Sequence, residues 1–179
     1  MKDRARKIIV VMLFVIAVCC AGYLIWYYAT AAKTKQSYDD AKKLATENVT
    51  PPKAENNDGD QAKPEIPIDF ASLQEKNPDI YAWIKIPGLP VDYPVLRKPG
   101  DDDYYLRRNL RGKYSVAGCL YTQASYNGDD FSDRVTIIYG HNMTDGSMFG
   151  MLEDTYSNSR DFEKYSDITV YLPKEEKHY

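Results

Sequence analysis

Two side-chain types in this chain can do acid–base or nucleophilic chemistry near neutral pH, and both are scarce. Histidine occurs twice and cysteine three times. His141 stands in the stretch VTIIYGHNMTDGSMF, residues 135–149. An imidazole ionises near pH ~6.5 and can pass a proton to or from a reacting group. Before it, Val135, Ile137, Ile138 and Tyr139 form a β-branched and aromatic run that predicts a short buried strand. Gly140 ends that run and puts His141 at the strand's rim, where a rigid element can hold a side chain over a cleft. The competing reading is a histidine that only satisfies a turn. His178 lies among charges next to Tyr179 and is given no role.

The cysteines read differently. Cys19 and Cys20 fall inside a long apolar run and read as packing. Cys119 is the third, so no disulfide can form within the rest of the chain. A thiolate would be a nucleophile, but Cys119 sits in GCLYTQ, residues 118–123, and reads as a small packed core residue. No Cys-x-x-Cys or His/Cys spacing suggests zinc. His141 has no second histidine at ligand spacing, and Asp145 alone is not a site. Neither a metal nor a cofactor is therefore expected, and a His-based metal hydrolase is a poor reading.

The elements that would position these groups follow from pattern. Residues 8–32 carry no charge. That run exceeds the ~20 residues that span a bilayer and the ~7–15 of a signal-peptide core. Lys2, Arg4, Arg6 and Lys7 precede it, and Trp26, Tyr27 and Tyr28 resemble an interfacial belt at its far end. The expectation is a single-pass membrane protein, with residues 1–7 cytoplasmic, 8–32 spanning and the remainder extracellular. Residues 33–67 read as a stalk helix followed by a flexible linker rich in Pro, Asn, Asp and Lys. A folded domain occupies 68–179.

Asp69 is a good N-cap for a helix through about Lys76, with Ile68 and Leu73 spaced as a hydrophobic staple. Strands are predicted at 81–86, 91–96, 118–122 and 168–172, with a turn at Pro87-Gly88-Leu89-Pro90. Pro94 suggests a bulge or an exposed edge in the second of these. Short helices are predicted at 147–152, with Met148, Phe149, Met151 and Leu152 inward and Thr144 or Asp145 as cap, and at 159–165. Residues 174–177 read as a charged turn in the middle of a hairpin. The net charge is −3 while the first seven residues carry +3, so the rest carries −6. An acidic domain argues against nucleic acid as a partner.

Five segments in order resemble the class B sortases of Gram-positive bacteria: IDFASLQEKNPDIYAWIKIPG (68–88), VDYPVL (91–96), DDYYL (102–106), YSVAG (114–118) and IIYGHNMTDGSMFGML (137–152). The resemblance implies a mainly β fold, a sortase-type antiparallel β-barrel with short peripheral helices after an N-terminal transmembrane helix. The barrel is expected to be incomplete, with its closing strands missing. It also implies an extracytoplasmic cysteine transpeptidase that cleaves a C-terminal sorting motif in secreted proteins and joins the product to an amine of a cell-wall precursor or peptidoglycan.

In that family a His, a Cys and an Arg act together. The His matches His141, and Tyr139 and Leu106 are the implied substrate-binding residues. The Cys belongs to a Thr-Leu-Ser-Thr-Cys type segment with the Arg on the following strand, and neither occurs in these residues. Asp102 stands where Asn is common and Leu89 where Thr is common. The expectation is a truncated class B sortase, inactive as written. The alternative is a non-catalytic, membrane-tethered, sortase-like peptide-binding module or a decayed gene product.

Overall fold

A computed structural model describes residues 2–47, 66–173 and 175–179. The first helix, α1, runs unbroken over Lys2–Glu47. From Ile8 to Tyr28 its large apolar side chains other than the half-buried Tyr27 are exposed all round the helix, as lipid-facing residues are. α1 is long and apolar enough to cross a membrane. Its second half behaves differently, with Thr34, Ser37, Tyr38, Ala41 and Ala45 buried. The segment expected to be a stalk thus packs into the domain: Tyr38 Oη donates to the Gly118 carbonyl at 2.9 Å, and the Ala45 carbonyl accepts from Asp69 N at 2.9 Å. Of the expected linker, residues 48–65 lie outside the described residues.

Helix α2, Phe70–Lys76, begins where the sequence predicts, with Asp69 accepting from Ser72 N. The first two strands and a turn follow: β1 (Ile80–Lys85), β2 (Asp92–Arg97) and a 3₁₀ turn at Tyr104–Arg107. The rest of the chain adds β3 (Leu120–Thr122), α3 (Leu152–Tyr156), α4 (Ser159–Lys164), β4 (Thr169–Leu172) and β5 (Glu175–His178). The five strands make one sheet in the order β3-β2-β1-β4-β5. The sheet is open and mixed, because β2 and β3 run parallel while the other neighbouring pairs are antiparallel. The strictly antiparallel expectation is corrected at that pair.

Pro94 is not on an edge, since β2 lies between β1 and β3. The β3 ladder starts one residue later, at Val95, so the missing N–H of Pro94 costs that ladder nothing. The register irregularity falls on β1, between Ile80 and Ala82. The core beneath the sheet is built from Trp83, Val91, Val95, Leu96, Leu120 and Val170, all almost fully buried. Trp83 Nε1 finds a partner in Asp92 at 2.7 Å.

Three local expectations fail. Residues 135–139 are not a buried strand: Val135 and Ile137 are exposed, and only Tyr139 pairs, with Tyr121. The buried side chain of Asn127 takes the strand partner's place, donating to the Val135 carbonyl at 2.8 Å and accepting from Ile137 N at 3.1 Å. Residues 147–152 are not a helix, because Met148 has φ 54° and Phe149 N donates back to the His141 carbonyl. The stretch closes on itself as a loop, and helix α3 starts only at Leu152. Asp145 accepts from Ser147 N and Oγ within that loop and caps no helix. Finally, residues 175–177 belong to β5, paired antiparallel to β4 with Leu172 opposite Glu175. The turn is therefore tighter than the charge run suggests, since an edge strand tolerates charged residues.

Candidate active site

His141 reaches its position through tight backbone packing. A Cβ on Gly140 would stand 2.3 Å from Leu120 Cδ2 and 2.7 Å from Phe149 Cδ2, so any side chain there would have to displace one of these two between β3 and the returning loop. The neighbouring bridge is closed by two backbone bonds, Tyr121 N to the Tyr139 carbonyl at 3.0 Å and Tyr139 N to the Tyr121 carbonyl at 2.8 Å. The Tyr121 and Tyr139 rings stack with centroids 5.3 Å apart. His141 follows at the end of this pinned stretch, half-buried.

Three influences act on its imidazole. Partial burial lowers its pKa from the usual value, the positive charge of Arg107 lowers it further, and a hydrogen bond to the Ala117 backbone carbonyl partly opposes both. The net direction is down, so the neutral imidazole dominates at pH 7. Such a group can take a proton from a thiol or an amine and return it.

Leu106 lies in the 3₁₀ turn and is partly exposed. Its carbonyl lies against Gly118, which has φ +60° and where a Cβ would stand 2.3 Å from that oxygen. His141 and Leu106 therefore both meet the Ala117–Gly118 segment. Asp102 lies one turn earlier and holds Ser125 through its backbone N and its hydroxyl. Those bonds keep its carboxyl below the usual range.

The structure also adds a residue that sequence reasoning missed. Arg107 is adjacent to Leu106 in the chain, but its nearness to His141 depends on the fold, and no local signal carries it.

The geometry around Cys119 argues against a role as nucleophile. It is fully buried, and its thiol donates to the Arg108 carbonyl at 3.2 Å. Burial pushes its pKa up to about 12, only partly offset by the neighbouring Tyr38 hydroxyl. A thiol so held is almost wholly protonated and inert near neutral pH. Among the described residues, no group of His, Cys, Asp and Glu side chains could hold a metal ion. A cleft of about 450 Å³ opens between α1 and the 143–148 loop, lined in part by Tyr38, Tyr93, Ala117 and Met143. His141 is not among its lining residues, although Ala117, whose carbonyl bonds the imidazole, is.

No family model matches the chain. Among curated proteins, it is 38% identical to sortase B of Listeria monocytogenes over 114 residues, covering 64% of this chain and 42% of that protein. It is 33% identical to sortase B of Staphylococcus aureus over 99 residues, covering 55% of this chain and 39% of that protein. Among solved structures, sortase B from Bacillus anthracis in complex with AAEK1 superposes with a TM-score of 0.68 at 26% identity, covering 84% of this chain and 66% of that one. This chain is thus similar to class B sortases in both sequence and fold. A Staphylococcus aureus sortase B–substrate complex matches as well, with a TM-score of 0.55 at 30% identity over 60% of this chain and 48% of that one. The chain spans about two fifths of the length of the curated sortase B relatives it matches.

Proposed function

We propose that this chain forms the histidine-bearing part of a membrane-anchored, sortase-type cysteine transpeptidase. The observation that carries this is His141: a half-buried imidazole, biased toward its neutral form, held by the Ala117 carbonyl at the end of a pinned stretch in a class B sortase fold. The substrate would be a C-terminal sorting motif on a secreted protein, and the acceptor a cell-wall amine. The thiol of a cysteine other than Cys19, Cys20 and Cys119 gives its proton to the neutral His141, and the resulting thiolate attacks the scissile carbonyl. His141 protonates the leaving amine and then deprotonates the incoming one. An Arg stabilises the charge that develops on the carbonyl oxygen. Tyr139 and Leu106 line the substrate side of His141 and act on binding more than on the proton transfers.

The test uses this chain fused to the Cys- and Arg-bearing segment of a sortase B relative. His141→Ala is expected to lower acyl transfer by at least the ~10²–10⁴-fold typical of a general acid–base group, with the melting temperature unchanged. A variant with a lowered melting temperature that retains near-normal transfer while folded would show that His141 is structural.

A further inference from the structure

We propose that the loop 107–114, RRNLRGKY, docks on the headgroup layer of the bilayer that α1 crosses, and that it binds anionic phospholipid headgroups. This rests on the reading of α1 as a membrane span. The uncharged run 8–32 measures ~37 Å as a helix, against a hydrocarbon core of ~30 Å. Its last two turns, with Trp26, Tyr27 and Tyr28, thus lie at headgroup level. Tyr114 of the folded domain, 49% exposed, stacks on Trp26 with ring centroids 5.8 Å apart and planes 24° from parallel. The next turns of the helix are fixed to the same loop by the bond from Thr34 Oγ1 to Ser115 Oγ, 3.1 Å. Tyr114 is thereby pinned at the depth of the aromatic belt.

The charge of this loop contrasts with that of the domain. Beyond residue 7 the chain is acidic, yet 107–114 holds three arginines and a lysine with no acid. Arg111 is tied back to Asp40 at 2.9 Å, well above Trp26 along the helix. Arg107, Arg108 and Lys113 are exposed. Arg108 sits opposite Tyr114 in an antiparallel bridge, its guanidinium 4.3 Å over the Tyr104 ring, with one donor on the Tyr104 carbonyl at 3.0 Å. Neither Arg107 nor Lys113 has an ion-pair partner among the described residues. Basic side chains beside an interfacial aromatic, held at headgroup depth, match an anionic membrane surface in both charge and chemistry. Because Arg107 adjoins His141, docking would hold the candidate site close to the bilayer plane.

The experiment places the full chain in nanodiscs of phosphatidylcholine, alone or mixed with phosphatidylglycerol, and measures amide hydrogen exchange over 107–115. Exchange there is expected to be about tenfold slower or more with the anionic lipid, as two or more basic residues at a charged surface imply. Raised salt should abolish the slowing. Lys113→Gln combined with Arg108→Gln should abolish it too, whereas Arg111→Gln should retain it. Equal exchange in the two lipids overturns the proposal using the unaltered chain alone, and so does slowing that survives the double substitution. Slowing reproduced by inorganic phosphate over neutral lipid would assign the site to free anions and overturn membrane docking. Extraction of the chain from membranes by alkaline carbonate would remove the span and the proposal together. A retained chain with lipid-independent exchange would remove the docking alone.

Discussion

His141 owes its electrostatic character to groups that only the fold brings together. Its pKa is depressed, so between that lowered value and the unfolded value of ~6.5 the unfolded state binds more protons and stability rises with pH. The histidine's contribution is present above the unfolded value and is lost as pH falls through the folded one. NMR titration of His141 is expected to give a midpoint below the usual histidine value. Arg107→Gln should raise that midpoint by removing the opposing charge, and an unchanged midpoint would show that burial alone sets it. Cys119 should behave as an inert core group. In the native chain it should resist thiol reagents until unfolding, and these residues by themselves should not turn over sorting peptides. Turnover abolished by Cys119→Ala would make it the nucleophile instead. The identity of His141 as the acid–base candidate was legible in its sequence context and in the family resemblance. Arg107 was not, because its nearness to His141 is a tertiary effect.

Elements whose signals are local came through the sequence well. Asp69 caps α2 as its sequence context predicts, accepting from the N–H three residues on, and the structure adds the same cap at Asn158 for α4. The strands 80–85 and 92–97 were placed to within a residue by their composition and the Pro-Gly-Leu-Pro turn. The stretch 135–139 misled for a physical reason. Its composition is that of a strand, but the bonds a neighbouring strand would make are supplied by Asn127, a side chain in what reads as a plain loop. The parallel β2–β3 pair was equally invisible, since strand direction is set by the long connection through the 3₁₀ turn and not by either strand's residues. Gly140 marks where this element-level packing bears on the site. Gly140→Ala should cost ~1–3 kcal/mol by overpacking against Leu120 and Phe149. Chemical denaturation would measure it, and a loss well below that range would mean that the loop yields to admit the methyl group.

For the molecule as a whole, topology is the outstanding prediction. With basic residues before the span and the folded domain after it, the domain should face the cell exterior. Protease added to intact protoplasts should degrade it, and protection would reverse the orientation. The continuity of α1 from Lys2 to Glu47 then has a mechanical meaning. A flexible tether would forgive insertions and let a domain tumble, but a helix that both crossed the bilayer and packed into the core would act as a keyed shaft. One residue added between Tyr28 and Thr34 would turn the domain by ~100° and lift it by ~1.5 Å. Two whole turns would lift it by ~11 Å and leave its heading nearly unchanged. With α1 crossing the bilayer, the compass bearing of the histidine face relative to the membrane would be encoded in a residue count, modulo the helical repeat.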